Sequence, residues 1–256
     1  MSTASLIDSH CHLDFESFDN DRTQVIQRAI DNNISDIVIP GTQQVYWDRI
    51  KTLCSMHKQL HACYGLHPYW VNEHNEHDIE KLKEYIKTNR PVALGECGLD
   101  FRPQQADKKK QLLFFEAQLK IAEQNQLPLV IHSVNATETV IQTLKKFENL
   151  AGMIHSYSGS TEQAKQLIDL NFFISIGGSV TYDRAKRIKQ VVKAIPLTSL
   201  LLETDAPDQP DQINHNKRNE PAYLINTLKV IAELREESPD KIAAQTSINA
   251  KNLFHI

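Results

Sequence analysis

The chain reads Ile7-Asp8-Ser9-His10-Cys11-His12 close to its N-terminus, where a short apolar run ends on two histidines. Alternate side chains of a β-strand point to the same face, so a strand here would project His10 and His12 together. Two imidazoles held side by side form half of a typical metal site. A buried histidine that bonds a backbone carbonyl is the alternative explanation, and the other histidines and acids decide between them.

Seven further apolar segments have the character of short buried strands, and helical segments separate them. We predict these strands near residues 36–41, 61–68, 91–96, 128–132, 151–155, 172–178 and 199–205. Eight strands alternating with helices over about 250 residues predict an α/β fold, a single-domain (β/α)8 TIM barrel over residues 1–256. An open doubly wound sheet fits this number of strands less well, and no GxGxxG or P-loop motif follows any strand.

The predicted helices differ in how clearly the sequence marks their ends. The longest spans residues 105–125, where apolar residues recur at three- and four-residue steps and form one broad face, with Phe114 and Phe115 packed in the core. Residues 160–163 form a capping box at a helix start, and residues 135–138 also have the form of a capped start. The polar segment 207–220 has no predicted structure and is typical of a lid, a binding loop or a disordered segment.

The composition indicates an ordinary globular protein and argues against several classes of function. The chain is 41% hydrophobic and 23% charged, which excludes extensive disorder. Its net charge is −4, so it lacks the electrostatic footprint of a protein that wraps duplex nucleic acid. The four cysteines form no CxxC pair, and no segment resembles a signal peptide or membrane span. We therefore expect reduced thiols, a monomeric cytoplasmic protein and no membrane partner.

Ligand-type side chains fall at the predicted C-terminal ends of five strands. These ends meet at one rim of a (β/α)8 barrel, where active sites of the fold lie. Each side chain alone has an ordinary explanation as a helix cap, a core histidine or a turn residue, but six together predict a metal site. Imidazole and carboxylate ligands without cysteine suit divalent cations, and we leave zinc, manganese, magnesium, nickel and iron open. The six residues are His10, His12, Glu96, His132, His155 and Asp205.

Other residues near the predicted rim are candidate substrate contacts. His67 follows strand three, although a packed histidine explains it equally well. Gly177 and Gly178 would present backbone N–H groups to a phosphate, or would simply form a tight turn. Arg102 and Arg218 are candidate cations on rim loops, with a solvated surface charge as the alternative for each.

Six motifs, in this order along the whole chain, resemble the TatD family of metal-dependent hydrolases and its YjjV-like branch. They are SHCHLDF, GLHP, GECGLDF, IHS, IHSYSGS and LLLETDAP. The resemblance implies that His10, His12 and Asp205 hold one metal ion, that His132 and His155 hold a second, and that Glu96 bridges the two. The chain departs from the family pattern at Val134, where many relatives have a basic residue, and at Cys97, where isoleucine is usual. The first departure puts a phosphate contact in doubt, and the second affects packing.

The resemblance also implies a function, the hydrolysis of ester bonds. The substrate would be a phosphodiester, either the end of a DNA strand or a small nucleotide, attacked by a water shared by two divalent cations. Asp205 is expected to take the proton from this water, and Glu96 to act beside it as the bridging ligand. An amidohydrolase or lactonase that attacks a carbonyl with the same metals is the first alternative. A metal-binding or partner-binding protein without catalytic activity is the second.

Overall fold

Eight parallel strands form the centre of the computed structural model, which describes residues 4–104 and 107–256. Each strand pairs with the next one in sequence order, and helical segments connect neighbouring strands. The strands are β1 (Leu6–Asp8), β2 (Ile34–Pro40), β3 (Leu60–Tyr64), β4 (Ala93–Asp100), β5 (Leu129–Val134), β6 (Gly152–Ile154), β7 (Phe172–Ile176) and β8 (Leu200–Leu202).

The two ends of this sheet meet, so that it forms a nearly closed barrel. The backbone N–H of Ser9 donates to Leu202 O at 3.0 Å, and the N–H of Asp205 donates to His10 O at 2.9 Å. Both contacts join the residues that follow β1 to the last strand or its exit. The predicted (β/α)8 barrel is therefore confirmed.

Helices surround the strands and alternate with them. They are α1 (Arg22–Asp31), α2 (Trp47–Met56), α3 (Glu76–Asn89), α4 (Lys108–Asn125), α5 (Thr137–Leu144), α6 (Thr161–Asp169), α7 (Lys186–Ala194), α8 (Leu224–Arg235) and α9 (Pro239–Phe254). Six short 3-10 helices in the described ranges add to them, among them Pro68–Trp70 after β3 and Gly178–Thr181 after β7. No helix in these ranges is both long and apolar enough to cross a membrane.

Helix starts follow the capping chemistry of the sequence in one predicted case and not in the other. The predicted capping box is present, since the Ser160 hydroxyl accepts from the N–H of Gln163 and the Gln163 side chain accepts in return from the N–H of Ser160. The predicted cap at residues 135–138 is wrong. Asn135 adopts a left-handed backbone with φ of 52°, and Ala136, which has no capping side chain, precedes α5.

The longest helix, α4, begins later than predicted. Asp107 caps it by accepting from the N–H of Lys109, and the predicted start at Gln105 lies outside the described residues. Phe114 and Phe115 are both buried, as predicted.

Two strand ends differ from the prediction in ways that matter for the site. β1 ends at Asp8, so His10 and His12 lie on the segment that closes the barrel and not within the ladder. β4 continues four residues beyond Glu96, which sits at a shift in register between β4 and β5. Irregularities of this kind redirect a side chain and are common beside active sites. The sequence placed Glu96 at a strand end because the apolar pattern breaks there.

The barrel interior has an apolar floor at the end opposite the metal-type side chains. Seven strands each contribute a buried side chain to it, and residues of α9 cover it from below. The strand residues are Ile7, Val38, Cys63, Ala93, Val130, Met153 and Leu201, and the α9 residues are Ala250, Leu253 and Phe254. This floor excludes water below the rim and gives the polar groups above it a rigid support.

Candidate metal centre

Two histidines lie beside one oxygen of Glu96, and both also face Asp205. The Nε2 atom of His10 lies 3.2 Å from Glu96 Oε2 and 3.4 Å from Asp205 Oδ1. The Nε2 atom of His12 lies 3.4 and 3.6 Å from the same two oxygens, and 3.2 Å from His10 Nε2. Four donor atoms about 2.0–2.1 Å from one tetrahedral zinc ion are about 3.3–3.4 Å apart, which matches this spacing.

The other oxygen of Glu96 faces a second group of imidazoles. Its Oε1 atom lies 2.9 Å from His132 Nδ1, 3.1 Å from His155 Nε2 and 3.0 Å from His67 Nε2. His132 Nδ1 and His155 Nε2 are 3.2 Å apart. Glu96 therefore stands between two clusters of ligand-type atoms and presents one oxygen to each.

Hydrogen bonding alone does not account for this arrangement. A neutral imidazole carries one proton, and an ionised carboxylate accepts but does not donate. When two ring nitrogens approach each other at 3.2 Å, at least one lone pair must face the centre, as it does between His10 and His12. A set of buried lone pairs on nitrogen and oxygen is the donor set that divalent cations bind. The residues present thus fit a metal centre.

Two outer carboxylates, which the sequence analysis did not single out, contact the histidines beside Oε1. Glu203 is fully buried, and its Oε1 lies 3.5 Å from His155 Nδ1. Asp100 Oδ2 lies 3.4 Å from His132 Nε2. Each histidine therefore faces the centre with one ring nitrogen and a carboxylate with the other, an arrangement that orients metal ligands and raises their basicity. Glu203 lies in the LLLETDAP motif, but nothing in the local pattern distinguishes an outer acid from a ligand.

The charge on Glu96 depends on its neighbours. Burial raises the pKa of this carboxyl, but the imidazoles of His67, His155 and His10 outweigh it and hold the pKa well below its usual range. Burial has the opposite consequence for His67, whose pKa falls to about 4. Glu96 is consequently an anion at neutral pH.

A cavity of about 530 Å³ opens above the centre, and Glu96, His132, His155 and Asp205 line it. The predicted loop at residues 207–220 contributes Asp208 and Gln209 to its wall. A cavity of about 560 Å³ lies at the other end of the strands, but its described lining has no cluster of metal-type side chains. The rim cavity is therefore the candidate site.

The predicted substrate contacts divide into two groups. His67 and Arg102 line the cavity, and Arg102 is the only arginine or lysine among its described lining residues. Arg218 is not among these residues; its guanidinium bonds Asp21, with Nη2 2.7 Å from Oδ2, and lies over the ring of Phe18. Arg218 is thus an ion-paired structural charge, which differs both from the predicted substrate contact and from the alternative of a solvated surface charge.

Gly177 and Gly178 are also absent from the described lining of the cavity. A Cβ atom on Gly178 would lie 2.7 Å from Gln209 O, so this glycine allows the loop 207–220 to pack closely against the end of β7. A Cβ atom on Gly177 would be 3.5 Å from Glu203 Cγ, which is ordinary contact. The tight-turn explanation fits these positions better than a phosphate contact does.

The two departures from the family pattern lie in different environments. Val134 lines the cavity beside Arg102, on the strand that pairs with Asp100. Cys97 is fully buried in the apolar core, where it affects packing as predicted. The cavity wall is apolar at residue 134. Among the described lining residues, Arg102 is therefore the only arginine or lysine.

We expect His132→Ala and His155→Ala each to lose one equivalent of bound metal without unfolding. Both imidazoles end within 3.1 Å of Glu96 Oε1, and both lie above the apolar floor that stabilises the barrel. The measurement is metal content after dialysis against Mn²⁺, with circular dichroism on the same samples. Full occupancy in both variants would remove these residues from the ligand set.

Cys11→Ser should change metal content and activity little. The Cys11 thiol is buried and lies 3.6 Å from Ala206 O, a contact that serine can keep. The side chain therefore belongs to the packing between the ends of β1 and β8. Metal titration of the variant beside the unaltered protein tests this. Loss of metal binding would contradict the prediction that His10 and His12 belong to the metal site and Cys11 does not.

Comparison with known proteins agrees with this geometry. Residues 7–255 match the family model described as TatD related DNase. The chain is 35% identical over 254 residues to the uncharacterized metal-dependent hydrolase YjjV of Escherichia coli K12, which covers 98% of both chains. It is 37% identical over 253 residues to the uncharacterized metal-dependent hydrolase YabD of Bacillus subtilis 168, which covers 98% of this chain and 99% of that one.

A solved structure supports the same relationship. The crystal structure of the TatD homolog YjjV from E. coli K12 superposes with a TM-score of 0.94 at 33% identity, covering 98% of each chain. Both the sequence motifs and the fold extend over almost the full length of the chain. The chain therefore belongs to the TatD family of metal-dependent hydrolases.

Proposed function

We propose that this metal-dependent hydrolase is a phosphodiesterase that acts on the end of a nucleic acid strand or on a small nucleotide. The observation that carries the proposal is the position of Glu96. This carboxylate lies at the base of the open rim cavity and presents one oxygen to each of two imidazole clusters. A carboxylate in this position is suited to bridge two cations. Centres with two cations are common in enzymes that cleave phosphate esters.

The residues that would hold the cations follow from the two clusters. His10, His12 and Asp205 would hold one ion beside Glu96 Oε2, and His132 and His155 would hold a second beside Oε1. Bound divalent cations supply Lewis-acid stabilisation of charged oxygens and lower the pKa of water. The protein supplies the orientation, because Asp100 and Glu203 face the outer ring nitrogens of His132 and His155.

Asp205 is placed to accept a proton at the centre. Its Oδ1 faces His10 and His12, while its Oδ2 accepts a hydrogen bond from Gln209 at the cavity wall. One carboxylate thus contacts both the metal-type atoms and the space that substrate would enter. Asp208 also lines this cavity, so Asp205 is not the only acid there.

Arg102 is suited to bind the phosphate of the substrate. Asp100 anchors it, with Asp100 Oδ1 2.9 Å from Arg102 Nε, while the side chain remains 44% exposed at the cavity. A guanidinium held in this way presents its remaining N–H groups in a planar fork that matches phosphate oxygens. The rings of Phe15, Tyr69 and Trp70 line the same cavity and offer surfaces for a base.

An esterase or amidohydrolase that attacks a carbonyl is the second candidate function. The apolar wall at Val134 favours it, because a cavity with one arginine suits a substrate of lower charge. The test compares turnover of bis-p-nitrophenyl phosphate and p-nitrophenyl acetate with Mn²⁺ or Zn²⁺, with EDTA as the control. Metal-dependent cleavage of the phosphodiester alone supports our proposal, and cleavage of the acetate alone supports the second candidate.

Arg102→Gln separates the two candidates further. Loss of a charged hydrogen bond to phosphate should raise KM for the phosphodiester by about 10-fold or more, since such bonds contribute about 1.5–3 kcal/mol. KM for the uncharged acetate should change little. An equal effect on both substrates would point to a structural role for Arg102. A protein that binds metal and cleaves neither substrate would instead fit a binding function.

Binding to long duplex DNA should be weak and should depend only slightly on salt. The net charge is −4, and Arg102 is the only arginine or lysine described at the cavity. Each phosphate that a protein neutralises contributes about −0.9 to the slope of log K against log salt concentration. Fluorescence anisotropy with a labelled duplex should give a shallow slope, and one that implies six or more phosphates would contradict binding at a strand end.

A further inference from the structure

His67 lies within reach of Glu96 but differs from the other histidines of the centre in how its ring is held. It precedes the 3-10 helix Pro68–Trp70, and its Nδ1 atom accepts a hydrogen bond from the backbone N–H of Tyr69 at 3.0 Å. Its backbone is fixed as well, because its N–H donates to Thr42 O and its carbonyl lies 3.2 Å from His74 Nε2. The ring therefore has one defined position.

The bond from Tyr69 determines which nitrogen of His67 carries the proton. A nitrogen that accepts from an N–H cannot itself be protonated, so Nδ1 has its lone pair directed at the backbone. In a neutral imidazole the proton must then be on Nε2. This nitrogen lies 3.0 Å from Glu96 Oε1, so an N–H faces the carboxylate that joins the two clusters.

The same bond argues against metal ligation by His67, although the spacing of His67, Glu96 and His132 would allow it. A cation on Nε2 needs the lone pair of that nitrogen, and the ring proton would then move to Nδ1. The proton on Nδ1 would point at the N–H of Tyr69, so ligation would replace a hydrogen bond with a contact between two donors. In His132 and His155 the outer nitrogen instead faces a carboxylate, which accepts a proton.

We propose that His67 is a positioning residue and not a metal ligand, and that its Nε2–H donates to Glu96 Oε1 and holds this carboxylate in its bridging orientation. A carboxylate oxygen has two lone pairs, so Oε1 can accept from His67 and still bind a cation. The 3-10 turn and the Tyr69 N–H fix the donor before any metal binds. The inference rests on the proposed function only in taking Glu96 as the ligand shared by two ions.

The test compares a substitution that removes the N–H donor with one that keeps a donor. His67→Phe keeps a ring of similar size and removes the N–H, whereas His67→Gln keeps an N–H at a similar reach. Mn²⁺ affinity and the number of ions bound at saturation are measured by calorimetry for both variants and for the unaltered protein. His77→Phe, which replaces an exposed histidine of α3, is the control.

His67→Phe should lower Mn²⁺ affinity about 10–100-fold, the range for residues that orient metal ligands, without changing the number of ions bound at saturation. His67→Gln should recover most of that loss. Loss of one ion in both variants would show that His67 is a ligand, and unchanged affinity in His67→Phe would show that it only packs. Either result overturns the proposal.

A second measurement does not depend on His67→Phe and remains informative if that variant does not fold. Long-range ¹⁵N–¹H spectra of the Zn²⁺-loaded protein, assigned with His67→Gln, should show His67 protonated on Nε2. A proton on Nδ1, with Nε2 bonded to the metal, would overturn the proposal. Neither experiment measures turnover, so a protein that failed to cleave any phosphoester would contradict the proposed function and leave this inference in place.

Discussion

Glu96→Gln should cause the largest loss of function of any single substitution, with metal binding and kcat/KM both falling more than about 100-fold. The amide keeps one oxygen but places an NH₂ group where the carboxylate now faces imidazole nitrogens on both sides. One of the two imidazole clusters therefore loses a carboxylate oxygen as a ligand. The negative charge between the two clusters is also lost. The expected fall exceeds the range of about 10–100-fold for residues that orient ligands from outside.

Glu203→Gln is the matched control for this prediction. It is the same chemical change at an equally buried glutamate, but Glu203 Oε1 faces the outer nitrogen of His155 and accepts from the N–H of Ser156, and its Oε2 accepts from Ser175 Oγ. Its metal affinity should fall by about 10–100-fold, with activity recovered at high Mn²⁺ concentration. Metal content and kcat/KM are measured for both variants over the same range of Mn²⁺. Equal losses in the two, both recovered by added metal, would show that Glu96 does not bridge two ions.

The fold could be predicted from the sequence because its signals are local and repeated. Each buried strand is a short apolar run, each is followed by a helical pattern, and the repetition along the chain defines the barrel. The bounds were less accurate where tertiary contacts override local propensity. The segment after Asp8 leaves the ladder to bond Leu202 across the barrel, and such a contact has no local signal.

The centre could be predicted in part, for a different reason. Ligand-type residues follow buried strands, and topology alone brings the ends of those strands together. The division of roles among the histidines could not be predicted. His67 and His132 both approach Glu96 Oε1, yet one receives an N–H from Tyr69 and the other faces Asp100. That difference depends on the path of the backbone in three dimensions.

The roles of the two arginines predicted near the rim could not be separated from the sequence either. Arg102 and Arg218 are equivalent in the sequence as arginines on rim loops. The structure places the first at the cavity wall and holds the second against Asp21. Their environments depend on residues far away in the sequence, so pattern alone gave both the same prediction.

Asp205→Asn should retain part of its bound metal and lose about 10²–10⁴-fold in kcat, the usual contribution of general acid–base assistance. Asparagine preserves the size of the side chain and one oxygen donor, but it does not accept a proton at neutral pH. The remaining oxygen can still face His10 and His12, where Asp205 Oδ1 now lies. The measurement is kcat at saturating Mn²⁺, with metal content determined on the same sample.

Asp208→Asn decides whether this loss belongs to Asp205 itself. Asp208 lines the same cavity, and burial and the nearby charge of Asp205 raise the pKa of its carboxyl, so it is the competing proton acceptor. Asp205→Asn should also remove the acidic limb of the plot of kcat/KM against pH, because the group that must be deprotonated is gone. Asp208→Asn should keep that limb and most of kcat. Near-native kcat in a fully metal-loaded Asp205→Asn protein, with a large loss in Asp208→Asn, would transfer the role to Asp208. The separation is sharp because the two acids share a cavity, while only Asp205 reaches the imidazoles of the centre.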